Sequence, residues 1–224
     1  MSNAYATCGR GASRRPFAVV LVLLAAISVP ASPADAQPAA HENPASEHRA
    51  STLGRFLFGG AAALGAHESG HLLFDGIFNA HPGISRVSFH GVPFFAITHD
   101  SGLPNRKEFV IDSAGFWVQH ATNELILHSH PRLRDERQPF LKGMYAFNVL
   151  ASVAYAGAGF ARTGPVERDT RGMADASRIK EPWIAALILA PAVLDSVRYF
   201  HPQAKWAAWS SRGFKAGMVL LVLR

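Results

Sequence analysis

Two histidines and a glutamate stand inside an otherwise greasy stretch, Ala61-Ala62-Ala63-Leu64-Gly65-Ala66-His67-Glu68-Ser69-Gly70-His71-Leu72-Leu73-Phe74. Such groups are costly to bury among alkyl side chains unless the fold supplies partners. The H-E-x-x-H spacing points to one. On a helix of 3.6 residues per turn, positions four apart share a face, one turn apart. His67 and His71 can therefore grip one cation, and Zn2+, which takes imidazole nitrogens at about 2.0–2.1 Å, is the expected cofactor. Glu68, one position on, reaches the space beside the metal without binding it, which is the place of a general base. Gly70 keeps the helix slim and is read as leaving room for an extended strand.

Composition bounds the setting. Hydrophobic residues make up 49% of the 224 and charged residues 17%, against roughly 25% charged in an average soluble domain. This excludes a disordered chain. A single cysteine, Cys8, excludes a disulfide framework and a thiolate zinc site. The net charge of +6 does not come with the aromatic interleaving of a nucleic-acid platform, so no nucleic-acid partner is expected. A basic surface facing anionic lipid headgroups accounts for it.

The chain opens on Arg10, Arg14 and Arg15, an apolar run from Phe17 to Val29, a break at Pro30 and the small-residue site Ala34-Asp35-Ala36. Residues 1–36 are read as a secretory signal peptide or an N-terminal anchor. Residues 37–52, rich in Ala, Pro, Glu and His, are read as a flexible linker in which His41 and His48 are spacers. Four segments then have the length of buried or spanning helices: 53–78, 109–128, 140–161 and 183–200, with an apolar tail over 214–223. Val87, Phe89, Phe94 and Ile97 flank a His90-Gly91-Val92-Pro93 turn, which predicts a β-hairpin over 84–99. Residues 129–139 and 162–181 read as polar loops. The expected fold class is mainly α: a polytopic membrane helical bundle of about four core helices with a small β-hairpin insert. Basic loop residues are nearly balanced across the two sides, so the exported N-terminus is the guide to topology, and a multi-pass protein of a bacterial inner membrane is expected.

Ala66-His67-Glu68-Ser69-Gly70-His71-Leu72 resembles the first core helix of the site-2 protease family of intramembrane zinc metallopeptidases. A β-structured segment following the motif helix is similar to that family too. Ser113-Ala114-Gly115-Phe116-Trp117-Val118-Gln119 resembles its small-residue helix, with Phe116 and Gln119 where the family has Pro and Asn. The resemblance covers residues 53–200, within a domain expected over 53–224. It implies a zinc endopeptidase that cleaves a membrane protein or peptide in or near its membrane segment.

The resemblance also implies a third ligand, an Asp inside a Leu-Asp-Gly motif, which this chain lacks. Asp169, at the start of a helix and shortly before Met173-Ala174, is similar to the Asp of divergent relatives. Asp195, in Leu194-Asp195-Ser196, is the nearest literal echo, and Asp175 is a further candidate. Without a ligand role, Asp169 caps its helix and Asp195 pairs with Arg198. Asn123-Glu124 resembles the second ligand helix of soluble gluzincins and keeps Glu124 open as ligand, in a periplasmic peptidase with a mean hydropathy of only +0.09. A non-catalytic membrane metal-binding or scaffold protein is the other alternative. Gln119, His120, Asn123, Asp112 and Asn148 are read as polar contacts between helices. Trp183, Tyr199, Trp206 and Trp209 are read as interfacial anchors.

Overall fold

The structure is a computed structural model that describes residues 44–89, 92–165 and 167–223. The signal-like segment, residues 37–43 and His41 lie outside the described residues. The fold is mainly helical, with six helices and one small sheet among the described residues: α1 (Pro44–Phe78), β1 (Gly83–Phe89), β2 (Val92–Thr98), α2 (Asn105–Ser129), α3 (Pro139–Ala161), α4 (Asp169–Ser177), α5 (Glu181–Phe200) and α6 (Lys205–Leu223). Three departures from expectation have local reasons. Residues 44–52, expected as linker, form the first turns of α1. Proline is tolerated in a first turn and Ala, Glu and Arg favour helix. The expected loop over 162–181 carries α4, after a turn in which Gly164 has φ 110°. The apolar tail is the second half of α6, which starts nine residues earlier than Phe214, at Lys205.

The strands pair antiparallel with Val87 opposite Phe94 and Gly83 opposite Thr98. They link α1 to α2 and hold Phe95, Ala96, Ile97 and Thr98 against one cavity wall.

Small residues let α1 approach its neighbours closely. Gly59 and Gly143 bring the backbones of α1 and α3 together, so that a Cβ on either would run into the other helix. Farther along α1, a Cβ at Gly70 would stand 2.8 Å from the Ala114 carbonyl oxygen of α2. The slim face at Gly70 is thus filled by α2, which corrects the reading of Gly70 as room for a strand. One apolar cluster, Phe109, Phe116, Met173, Ile184, Ile188 and Met218, ties α2, α4, α5 and α6 together. A second, with Ile126, Leu127, Leu133 and Tyr145, closes the other end of α2 against α3.

Beside these apolar clusters, several large apolar side chains are exposed and many polar ones are buried. Leu57, Leu73, Leu125, Leu150, Val193 and Leu220 are each half or more exposed. His67, His71, Asp75, Gln119, His120, Asn123, Asn148 and Asp195 are all buried. Among the described residues, two helices, α3 and α5, are long and apolar enough to cross a membrane.

Candidate metal centre

On α1, the four-residue interval puts His67 and His71 on one buried face, with ring centroids 5.0 Å apart. Their Nε2 atoms approach to 3.1 Å. Asp169, the first residue of α4, completes the group: its Oδ2 lies 3.3 Å from His67 Nε2 and 3.5 Å from His71 Nε2. Asp169 stands in the first turn of α4, where a carboxylate also favours the helix end, while the N-cap residue Arg168 makes no side-chain capping bond.

The three separations test whether a metal fits. Donors held tetrahedrally at about 2.0–2.1 Å from a common centre stand roughly 3.3 Å from one another. The observed 3.1, 3.3 and 3.5 Å bracket that value. His71 has its Nδ1 2.8 Å from the Ile111 carbonyl oxygen, which calls for the proton on Nδ1 and leaves Nε2 as a lone-pair donor. His67 Nδ1 is buried without a hydrogen-bond partner. Burial alone would raise the Asp169 carboxyl. Positive charge at the histidine nitrogens, carried by a proton where no metal is bound, outweighs burial and holds it below the ordinary carboxylate range, as an anion. A cation at the same point acts in the same direction. The group is one that could hold a metal ion.

Neighbouring elements fix these three side chains. Gly115 of α2 makes room for the rings, since a Cβ there would stand 2.6 Å from His71 Nε2 and closer still to His67. Phe116 meets the His67 ring edge-on, with centroids 5.5 Å apart, and Tyr155 of α3 stacks on it at 6.0 Å. The Tyr155 hydroxyl donates a hydrogen bond to the Asp169 carboxylate. The start of α4 is bolted to the start of α5. Arg168 donates from Nε and a terminal nitrogen to the two oxygens of Glu181 at 2.7 and 2.8 Å, and Thr170 adds a 2.9 Å bond. Paired, planar donation of this kind sets position as well as energy.

Glu68 is not among the converging ligand atoms. It lines a cavity of about 590 Å³ together with His71, Asp169, Tyr155 and strand β2. The Glu68 carboxylate, two members of the candidate ligand group and an apolar wall therefore share one open space.

The other acidic candidates are engaged elsewhere. Asp195 is fully buried and accepts from Ser211 at 2.7 Å, Lys215 at 2.8 Å and Arg198 at 3.0 Å. Glu124 accepts from Arg198 at 2.6 Å, Arg212 at 2.8 Å and Lys215 at 3.0 Å. Together they form a charge network joining α2, α5 and α6. Asp175 is exposed and faces Arg171 at 3.7 Å. Asn148, Asn123 and Gln119 do bond α3 to α2, with Asn148 donating to Asn123 at 3.0 Å. Asp112, expected in the same role, lines the cavity instead.

Sequence reasoning passed over Tyr155, Glu108, His99 and Asp75. Nothing in the sequence marks Tyr155. Asp75 did carry a signal, for it continues the His67 and His71 face at the same four-residue interval. Comparison with protein-family models, with curated proteins and with solved structures gives no match to this chain.

Proposed function

We propose that this chain is a zinc-dependent endopeptidase of the membrane interior, similar to the site-2 protease family, acting on a peptide bond in or near a membrane segment of its substrate. The observation that carries the reading is the convergence of His67, His71 and Asp169 beside a cavity that Glu68 also lines. Zinc held by those three residues would supply Lewis acidity, making water a better proton donor near neutral pH. Glu68 accepts that proton and returns it to the leaving amine. Tyr155 keeps the His67 ring in place beside the Asp169 carboxylate. Two histidines and one carboxylate also suit ferrous iron. The free carboxylate of Glu68 in the same cavity favours hydrolysis.

The membrane setting draws on the exposed leucines, the buried polar residues and the two helices of spanning length. In this reading α1, α2, α3 and α5 are the core spans of a multi-pass inner-membrane protein, and Trp183, Trp206 and Trp209, each more than half exposed, meet the headgroups. The deciding experiment reconstitutes the full chain in liposomes with a quenched fluorescent peptide bearing a transmembrane helix. Wild type should cleave it. Glu68→Gln should keep its zinc and lose cleavage by at least about a hundredfold. Cleavage by Glu68→Gln at the wild-type rate removes Glu68 from the mechanism. Zinc binding without cleavage by wild type favours the non-catalytic metal-binding alternative.

A further inference from the structure

A second group of ligand-type side chains lines the same cavity. His99, at the end of β2, has Nε2 2.6 Å from Glu108 Oε2. Asp112, one turn on from Glu108 along α2, offers a carboxylate oxygen within 4.8 Å of both. These three come from two elements, and none of them belongs to the His67, His71 and Asp169 set.

Behind His99 stands Asp75. Its side chain is 0% exposed and neither of its oxygens has a hydrogen-bond partner. Oδ1 lies 3.7 Å from His99 Nδ1, so the imidazole sits between two carboxylates, Asp75 on its Nδ1 side and Glu108 on its Nε2 side. A cation taking the place of the proton that Nε2 shares with Glu108 would move the imidazole proton to Nδ1, on the side of Asp75, giving the order of a carboxylate, a histidine and a metal. Charge gives the same answer. Three carboxylates face one imidazole, and the groups that act on Asp75 and Asp112 are histidines and other acids, with no lysine or arginine among them. Arg168 lines the cavity but is held by Glu181. A cluster of three carboxylates and one imidazole, partly shielded from water, is neutralised either by protons or by a bound cation, since no basic side chain is free to do it among the described residues.

We infer that His99, Glu108 and Asp112, backed by Asp75, form a second divalent-cation site in the cavity. One nitrogen and two carboxylates suit Zn2+ or Mn2+. Being built on other residues, the site does not depend on His67 and His71 holding zinc.

The test uses the full chain in detergent, stripped with EDTA, reloaded with excess ZnCl2, desalted and measured for metal per chain. Wild type should hold two equivalents. His99→Ala and Asp112→Asn should each hold one, and His67→Ala/His71→Ala should hold one that disappears when His99→Ala is added. Asp75→Asn, which keeps size and shape, should still fill at saturation but bind the second equivalent about 10–100-fold more weakly. This variant decides the matter if His99→Ala fails to fold. One equivalent in wild type that His99→Ala leaves in place overturns the site, as does a single affinity unchanged by Asp75→Asn. Loss of cleavage with two equivalents retained counts against the peptidase reading alone.

Discussion

Gly115→Ala is the smallest change that should damage the metal centre without touching a ligand. The added Cβ would stand 2.6 Å from His71 Nε2, short of ordinary van der Waals contact by about 0.8 Å, and closer again to the His67 ring. The rings are hemmed in by Phe116 and Tyr155 and cannot move aside freely. Metal sites hold their distances to about 0.2 Å, so a displacement several times larger pulls the donors off their common centre. Overpacking of a tight site costs about 1–3 kcal/mol. If that strain falls on the bound state, zinc affinity drops by about 5–150-fold. The assay is competition for zinc against a chromophoric chelator, in a His99→Ala background that isolates this centre. Gly65→Ala is the control: it lies on the same helix as the histidines, and a Cβ there meets nothing within 4 Å. It should leave affinity unchanged and stabilise the helix by up to about 1 kcal/mol. Wild-type zinc affinity in Gly115→Ala, or equal weakening by both changes, would refute the reasoning.

Three further outcomes follow from the same geometry. Asp169→Asn should lose zinc, while Asp195→Asn should keep it and unfold more readily, by about 1–3 kcal/mol, because Lys215 and Arg198 lose one of the two carboxylates they share and keep Glu124; zinc content and thermal unfolding in detergent read the two effects separately. Tyr155→Phe keeps the ring against His67 but loses the hydroxyl bond to Asp169, whereas Tyr155→Ala loses both and should weaken zinc further, by about 10–100-fold in all; equal zinc affinity in the two variants would deny the ring a positioning role. Carbonate washing of membranes should leave the full chain in the pellet, and its release would favour the soluble peptidase reading.

The four longer core helices were legible because their apolar length is written in the sequence, and the hairpin because Val87 and Phe94 flank a turn, whereas the short, polar α4 was not. The spacing of His67 and His71 gave their shared face, since an interval of four on a helix is local geometry. The choice among Asp169, Asp195, Asp175 and Glu124 was not local. It depends on the seating of α4 through Arg168 and Glu181, and on Lys215 and Arg198 engaging Asp195 and Glu124 from other helices. The role of Gly70 was misread for the same reason, because what meets a slim helix face is decided by the partner helix. Tyr155 and His99 reach the cavity only through tertiary packing, and their neighbours in sequence say nothing of it.

The most direct measurement is anomalous diffraction at the zinc edge from crystals of the full chain grown in lipid. The account predicts a peak bounded by His67 Nε2, His71 Nε2 and Asp169 Oδ2, with Glu68 beside it and not bound to it. Density free of any peak at that point in zinc-loaded crystals, or a peak held by Glu124 or Asp195 in place of Asp169, would contradict it.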